Sequence, residues 1–305
     1  MSSKAYAKVI VNPTAGAGKS GKLWPEIMGH FKGNGLRFEH QLTEAPGHAT
    51  ELAREAVKQG YEMVVAVGGD GTIHEIVNGL CASGNLASAL LGIVSTGTGG
   101  DYVRTVGVPK NYQDACQSFL KPKIISVDLG KVEYRKNGKD MERLFVNFAG
   151  AGFDAEIVRR TTQQFKNLGA LPSYLMGALT TLATYKNKEV LLKMDGQESI
   201  RKVCTVIVNN GRYGGGGMYT APGADLSDGL FDVMIVGDIS KPDFLVSLPR
   251  LYKGTHVTHP KVTMLKAKEI EIEARKKMAL QADGELLGEL PARIRVLPSA
   301  LKIII

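Results

Sequence analysis

Three glycine-rich turns, each directly after an apolar segment, hold the residues that could do chemistry. They are Asn12-Pro-Thr-Ala-Gly-Ala-Gly-Lys-Ser20, Gly68-Gly-Asp-Gly-Thr72 and Thr96-Gly-Thr-Gly-Gly-Asp101. Backbone amides in such turns, at the start of a helix, bind anions such as phosphate. Asp70 and Asp101 add carboxylates, which would repel phosphates unless a divalent cation lay between them. The turns therefore predict a site for a nucleotide with Mg²⁺.

Two familiar nucleotide motifs do not account for the first turn. Gly18-Lys19-Ser20 ends like a P-loop, but Pro13 stands where that motif requires glycine. Gly16-x-Gly18-x-x-Gly21 matches the dinucleotide fingerprint in form, yet Gln41-Leu-Thr43 stands where its acidic partner should lie. A tight turn without a ligand and, at Asp70, a simple helix N-cap are the structural alternatives.

The elements around these turns change character part-way along the chain. The first part alternates helices with continuous apolar strands such as Met63–Val67, which is typical of a parallel sheet covered on both faces. The later part has shorter strands, hairpin signals at Asn137-Gly138 and Asp195-Gly196, and inserted helices. The sequence predicts a nucleotide-binding α/β domain with a doubly wound parallel sheet at 1–126 and a β-rich substrate domain at 127–305. We expect the site in the cleft between them, with a C-terminal tail that can return to the first domain.

Composition narrows the class of protein. The chain has 305 residues, 44% apolar and 22% charged, and no apolar run approaches the ~18 residues of a membrane span. Its cysteines, Cys81, Cys116 and Cys204, are too few and too widely spaced for a disulfide framework or a zinc ribbon. Without a signal-peptide pattern at the start, this indicates a cytoplasmic protein. The net charge of +8 favours anionic partners, but no basic stripe interleaved with aromatic residues predicts nucleic-acid binding.

In their order along the chain, the motifs resemble the soluble bacterial diacylglycerol and lipid kinases, whose catalytic domain is shared by eukaryotic diacylglycerol, sphingosine and ceramide kinases. The resemblance covers nearly the whole chain. It rests on Asn12-Pro13 with Gly16, Gly69-Asp-Gly-Thr72 with Glu75 and Asn78-Gly79, Gly97-Thr98 with Asp101, Asn209 to Met218, Ala221-Pro222, Asp228-Gly229 with Phe231-Asp-Val233, and Asp283-Gly-Glu285. The chain departs from the usual family pattern at His74 and Gly100, where the family has Asn, and at Ser95, where it has Pro.

The resemblance implies ATP as the phosphoryl donor and a lipid alcohol as the acceptor, and diacylglycerol is the acceptor that it favours. Lys19, at the start of a helix, adds a positive charge near the phosphates. The residues that the resemblance places around ATP are Asn12, Pro13, Thr14, Ala15, Gly16, Thr43, Gly69, Gly71, Thr72, Glu75 and Thr98.

The resemblance also implies a tightly held Mg²⁺ in the loop of Asp225, Asp228 and Leu230, and a catalytic base at Glu285. From the residues alone, this loop is almost as typical of an Asp-Gly turn, and Glu285 is equally typical of a solvated turn residue. Phosphoryl transfer needs mainly alignment and charge neutralisation.

In this interpretation Asp70 and Asp101 organise Mg²⁺ on the phosphates. Glu285, on the other domain, accepts the proton of the lipid hydroxyl when the cleft closes.

Two other functions stay open: an NAD-kinase-like or other small-molecule kinase, and a nucleotide-binding regulator without catalysis. A Rossmann oxidoreductase is a more distant alternative. We expect transient contact with an anionic membrane at its inner face, through the positive charge and apolar side chains at the cleft mouth. A homodimer is left open. His256-x-x-His259 has no third metal ligand nearby and is interpreted as a surface pair.

Overall fold

A computed structural model describes residues 6–84, 86, 89–164 and 170–305 of the chain. Its first part alternates strands and helices, and strands β1 to β4 pair in parallel in the order β2-β1-β3-β4. The elements are β1 (Tyr6–Val11), α1 (Lys19–Gly33), β2 (Arg37–Leu42), α2 (His48–Lys58), β3 (Met63–Gly68), α3 (Asp70–Ala82), β4 (Leu90–Ser95), α4 (Asp101–Val106) and α5 (Tyr112–Gln117).

The second part is dominated by antiparallel strands with three long helices. The elements are β5 (Ile124–Lys136), β6 (Lys139–Phe145), β7 (Phe148–Gly152), α6 (Phe153–Gln164), α7 (Ala170–Thr184), β8 (Lys188–Met194), β9 (Gln197–Val203), β10 (Thr205–Asn209), β11 (Phe231–Val236), α8 (Lys241–Lys253), β12 (Val262–Ala267), β13 (Glu269–Ala274), β14 (Ala279–Ala282), β15 (Glu285–Glu289) and β16 (Ala292–Ile304). A short 3-10 helix, Thr255–Thr258, follows α8.

Two sheets organise these strands. The parallel strands continue through the C-terminal strand, because β16 pairs in parallel with β4 and antiparallel with β5 and β13. The first sheet therefore has the order β2-β1-β3-β4-β16-β13-β8-β9, and β5 and β6 branch from β16. The second sheet has the order β12-β11-β10-β7-β14-β15, and all its pairings are antiparallel.

Helices cover both faces of the parallel sheet. Every residue of β3 is buried, as expected for a strand between two helical layers. One core contains α2 and α3 against one face, and a second contains Trp24, Ile27 and Phe31 of α1 against the other. The predicted fold class, an α/β part with a parallel sheet followed by a β-rich part with inserted helices, is confirmed.

The helices α6, α7 and α8 lie on the second sheet. Phe153 and Ile157 of α6 pack with Ile207 and Met234 of the sheet, and Phe244 of α8 joins this cluster. None of the helices in the described ranges is long and apolar enough to cross a membrane.

The interpretation of His256 and His259 as a surface pair is wrong, because both side chains are buried. The 3-10 helix lies beneath α8, and His256 Nε2 donates to the carbonyl of Thr220 at 3.0 Å. His259 Nε2 lies 3.2 Å from a carboxylate oxygen of Asp243 on α8. The spacing of the two histidines therefore serves packing under the helix.

Candidate active site

The three glycine-rich turns meet at the carboxyl ends of β1, β3 and β4. A Cβ at Gly16 would lie 2.3 Å from the carbonyl oxygen of Thr96, and one at Gly97 would lie 2.6 Å from Cα of Gly69. Asn12 Nδ2 donates to the hydroxyl of Thr72 at 3.1 Å. Only glycine permits these backbone approaches, so the glycines let three turns form one crevice at the edge of the sheet.

Two helices begin at this crevice without a side-chain cap. The N-cap residues are Gly18 for α1 and Gly69 for α3, and neither helix start receives a side-chain hydrogen bond at its N-cap. Lys19, the first residue of α1, is exposed. At α1 the N–H groups of Lys19, Ser20 and Gly21 donate to carbonyls of the preceding turn. At α3 the N–H groups of Asp70 and Gly71 have no backbone partner among the described residues, so this helix start suits an anionic ligand such as a phosphate.

Asp70 stands at the start of α3 but contacts the start of a different helix. Its carboxylate accepts hydrogen bonds from the backbone N–H of Asp101 at 3.2 Å and of Tyr102 at 3.4 Å, the first residues of α4. The simple N-cap alternative at α3 is therefore not what this side chain does. Burial, followed by the negative charges of Asp101 and Asp283, raises the pKa of Asp70 above its usual value.

Asp101 is buried and only half satisfied. One of its carboxylate oxygens accepts from the backbone N–H of Gly216 at 2.8 Å. The other, Oδ1, is buried and has no hydrogen-bond partner among the described residues. A buried carboxylate oxygen without a donor, next to Asp70, fits a hard divalent cation, because carboxylate oxygens are the ligands that Mg²⁺ prefers.

The hairpin between β14 and β15 brings Asp283 to the same place. Asp283 and Gly284 form its two-residue turn, with φ of +47° and +83°, a conformation that Asp-Gly pairs favour. The Asp283 carboxylate accepts three backbone N–H groups, from Val146 at 2.8 Å and from Asn147 and Phe148 at 3.0 Å each. These bonds fix the turn against the segment that leads into β7.

His74 of α3 joins the two halves of the chain at this hairpin. Its side chain is fully buried, and its Nδ1 lies 2.8 Å from Asp283. Its Nε2 lies 3.3 Å from Glu285 and 3.0 Å from Nε of Arg143. Arg143 in turn donates from Nη2 to Glu285 at 2.7 Å. A chain of contacts therefore runs from Asp283 through His74 and Arg143 to Glu285.

The charge on His74 selects between two hydrogen-bond patterns among Asp283, His74, Arg143 and Glu285. A protonated Nε2 donates to Glu285, whereas an unprotonated Nε2 accepts from Arg143, whose nitrogens can only donate. Burial lowers the pKa of His74, but its hydrogen bonds to Asp283 and Glu285 outweigh burial and raise the pKa to about 9. Burial raises the pKa of Glu285, yet His74 and Arg143 together hold it well below the usual range, at about 2.

A cavity of about 580 Å³ begins at these carboxylates and extends into the second part of the chain. Asp70, Asp101 and Asp283 line one end, which we call the polar end. The other end, which we call the apolar end, lies between the second sheet and the helices α6, α7 and α8. Its lining includes Phe153, Ile157, Leu182, Met234, Val236, Ile239, Phe244, Leu248 and Leu251.

One acid lies in the wall between the two ends. Asp154 at the start of α6 contacts the hydroxyl of Thr205 at 2.5 Å and accepts from the amide of Gln281 at 2.9 Å. Burial raises the pKa of Asp154, which favours its neutral form. The cavity beyond the polar end therefore presents little charge.

Comparison with known proteins identifies the family. The diacylglycerol kinase catalytic domain model matches residues 6–132. A diacylglycerol kinase of Bacillus subtilis (strain 168) is 30% identical over 287 residues, which are 93% of this chain and 91% of that protein. The chain belongs to the diacylglycerol kinase family. The model of the YegS C-terminal NAD kinase beta sandwich-like domain matches residues 147–305.

Solved structures of a diacylglycerol kinase and of an NADH kinase share the fold. The crystal structure of a diacylglycerol kinase from Bacillus anthracis str. Sterne has a TM-score of 0.73 at 24% identity, over 100% of this chain and 97% of that chain. Yeast NADH kinase complexed with NADH has a TM-score of 0.56 at 12% identity, over 99% and 83% of the two chains. The diacylglycerol kinase fold and the NADH kinase fold are thus variants of one architecture.

Two other residues that the family resemblance placed around ATP, Asn12 and Glu75, accept hydrogen bonds from protein groups. Asn12 accepts from the backbone and hydroxyl of Thr14, which shapes the first turn. Glu75 uses both carboxylate oxygens to accept from Gly47 and Ala49 at the start of α2. Glu75 therefore positions α2 in this structure, and the ATP contacts of all these residues stay predictions.

The loop predicted to hold a second Mg²⁺ has its carboxylates occupied by protein groups. Asp225 accepts from the backbone and the hydroxyl of Ser227. Asp228 accepts from Leu230 N–H at 3.0 Å, and its other oxygen lies 2.7 Å from Nζ of Lys266. No group of three His, Cys, Asp or Glu side chains in the described residues is arranged for a metal ion. As arranged, this loop does not fit a resident Mg²⁺, because the Lys266 ammonium already neutralises Asp228.

Sequence reasoning missed Arg143 and the role of His74. Arg143 lies on β6, a strand without any family motif, and reaches the site only because β6 pairs with β5 beside the Asp283 hairpin. The sequence marks His74 only as a departure from the family pattern. Glu285, predicted as the base, is about one-third exposed and does not line the cavity, whereas Asp283 of the same hairpin does.

Proposed function

We propose that this protein is an ATP-dependent lipid kinase that transfers the γ-phosphoryl group to the hydroxyl of diacylglycerol. The cavity carries this proposal. Carboxylates that would hold a divalent cation line its polar end, while its apolar end is enclosed by three helices and nearly free of charge. Such a cavity fits an acceptor with a polar hydroxyl at one end and hydrocarbon at the other.

The nucleotide occupies the crevice formed by the three turns. The start of α3, with its unpaired N–H groups, faces its phosphates, and Lys19 adds a positive charge. Asp70 and Asp101 would hold Mg²⁺, which would neutralise charge on the phosphates when bound. The residues of the chain then align the γ-phosphate with the polar end of the cavity, which is most of what phosphoryl transfer requires.

Glu285 accepts the proton of the attacking hydroxyl in this proposal. In the structure it is held by Arg143 and His74, and a carboxylate with a pKa of about 2 is a weak base. It becomes effective when the phosphates of the bound nucleotide attract Arg143 away from it. Arg143 would thus couple occupation of the nucleotide site to release of the base.

The proposal is tested by an acceptor panel with radiolabelled ATP and Mg²⁺. Diacylglycerol, other lipid alcohols, NAD and small sugars are offered in parallel, with the lipids in mixed micelles. We expect label in phosphatidic acid from diacylglycerol and none in NADP. Label in no lipid would contradict the proposal, and binding of ATP without turnover on any acceptor would favour a regulator without catalysis.

A second candidate is a kinase that phosphorylates NAD. The name of the matching C-terminal domain model and the fold of yeast NADH kinase favour it. The apolar end of the cavity argues against it, since a dinucleotide carries charged and polar groups along its whole length and would leave them unpaired there. Label in NADP in the same panel would establish it.

A further inference from the structure

Helix α8 lies on the surface with an unusual distribution of apolar residues. Its 13 residues include Phe244, Leu245, Val246, Leu248, Leu251 and Tyr252, yet none is fully buried. Leu245, Pro249 and Tyr252 follow helical spacing on the outer side, with Val246 beside them at 75% exposed. On the neighbouring helix α7, Leu179 is 61% exposed. We call Leu179, Leu245, Val246, Pro249 and Tyr252 the docking surface.

The docking surface is continuous with the cavity. Leu179, Leu245 and Tyr252 are each exposed, and each also lines the cavity. A residue that does both lies where the cavity meets the outside. The apolar end therefore has its mouth between α7 and α8, and apolar side chains surround that mouth.

Positive charge borders the same surface. Lys241, Arg250, Lys253 and Lys261 are exposed on α8 or just after it. Of the two acidic residues in this stretch, Asp238 forms an ion pair with Lys202 and Asp243 contacts His259. Helix α7 contains no charged residue at all. An apolar helix face with a basic border is the composition of helices that lie in the interface of an anionic membrane.

We propose that the docking surface inserts into the headgroup region of an anionic phospholipid bilayer, so that a lipid enters the cavity between α7 and α8 without crossing water. This inference rests on the proposed lipid substrate. A diacylglycerol that left the bilayer through water would expose the hydrocarbon of both acyl chains, which is strongly unfavourable. Contact between the cavity mouth and the bilayer removes that barrier.

The test measures binding to vesicles that contain neither diacylglycerol nor nucleotide. Wild-type protein is expected to sediment with vesicles of phosphatidylglycerol and phosphatidylcholine at low salt, to be released at high salt, and to bind phosphatidylcholine alone weakly. Val246→Glu and Lys253→Glu should each weaken binding by about tenfold, since they place negative charge at an anionic surface. Val246 does not line the cavity, so its variant changes docking alone.

Matched controls lie elsewhere on the surface. Ile200 on β9 is 65% exposed and Lys136 is exposed in the β5–β6 hairpin, and neither belongs to α8 or lines the cavity. Ile200→Glu and Lys136→Glu should bind vesicles like the wild type. The proposal would be overturned if control and test variants lost vesicle binding equally, or if both test variants bound like the wild type. Equal binding of the wild type to neutral and anionic vesicles would also overturn it. Thermal melting of each variant shows that its fold is intact.

A second arm separates this proposal from the proposed function. Phosphorylation of a short-chain diacylglycerol dissolved in water needs no membrane, so Val246→Glu should retain wild-type turnover on it. Turnover without any vesicle binding would overturn docking and support the kinase. Vesicle binding that depends on Val246 and Lys253, without turnover on any lipid, would support docking and contradict the kinase.

Discussion

The two ends of the cavity are built in opposite ways. At the polar end, Asp70, Asp101 and Asp283 are held by backbone N–H groups at defined distances, and His74 and Arg143 bind the neighbouring hairpin. At the apolar end, side chains from three helices and one sheet share only their hydrocarbon character. The chemistry at one end needs particular atoms in particular places, whereas hydrocarbon chains need only volume without water. Changes at the two ends should therefore have different signatures.

The largest effect is expected at the polar end from Asp70→Asn. Asparagine keeps one of the two oxygens that accept from the start of α4, but it removes the charge that faces the cation and phosphates. We expect kcat to fall by ~10²–10³ while the melting temperature changes little. Asp114→Asn, at an exposed position on α5, is the matched control. A kcat near the wild-type value would show that Asp70 only caps α4.

Glu285→Gln is expected to lower kcat by about 10², at the low end for loss of a general base, because Glu285 is paired in the resting structure. The affinity for ATP should be nearly unchanged. Glu289→Gln, on the same strand, serves as the control. A loss of ATP affinity in proportion to kcat would instead place Glu285 in the nucleotide site.

Ala178→Phe tests the apolar end. Ala178 lines the cavity from α7, so a phenyl ring there reduces its volume. Catalytic efficiency on long-chain diacylglycerol should fall by about tenfold, and turnover on a short-chain substrate should be retained. Ala183→Phe makes the same change on the same helix at an exposed position outside the cavity. Equal losses for both chain lengths would mean that the chains lie elsewhere.

The His74 network should make stability depend on pH. The folded-state pKa of His74, about 9, lies above its ordinary value of 6.5, so its contribution is complete below pH 6.5 and is lost as the pH rises through 9. The loss is at most on the order of 3 kcal/mol. His74→Asn should make the melting temperature depend less on pH between pH 6.5 and 9. An equally steep decline in the variant would assign the pH dependence to another group.

The smallest effect is expected at the Asp228 loop. Because Lys266 neutralises Asp228, EDTA should leave the melting temperature of the protein without nucleotide unchanged. Lys266→Met should lower the melting temperature by about 1–3 °C, a small change because the pair is partly exposed. Added Mg²⁺ should partly restore the melting temperature of this variant. If the loop held a resident Mg²⁺, as the sequence predicts, EDTA would lower the melting temperature of the wild-type protein. A clear drop of the wild-type melting temperature in EDTA would support that prediction.

The sequence predicts more of the polar end of the cavity than of its apolar end. Asp70 and Asp101 follow apolar strands whose pattern predicts a parallel sheet, and topology then brings their turns together. Arg143 could not be found in this way, because its position depends on strand pairing between distant segments. The mouth between α7 and α8 has no motif, since many apolar residues can enclose the same volume.

The long strand β16 shows a second limit of the sequence. Pro298 interrupts its apolar pattern and is typical of a strand end. In the structure the strand continues past it through a register shift between Leu297 and Leu301, and its last residues pair with β4. Tertiary pairing decided this element, which local pattern alone could not predict.

We propose that one cavity holds the lipid, with its hydroxyl at the polar end and its chains at the apolar end. Photo-crosslinking with a diacylglycerol that carries a diazirine at the end of one acyl chain tests this most directly. Mass spectrometry should place the crosslinks on α7, β11 and α8, in the segments 176–184, 231–236 and 241–252, and unlabelled diacylglycerol should compete them away. Crosslinks on the turns at residues 12–20 and 68–72, or labelling without competition, would contradict the account.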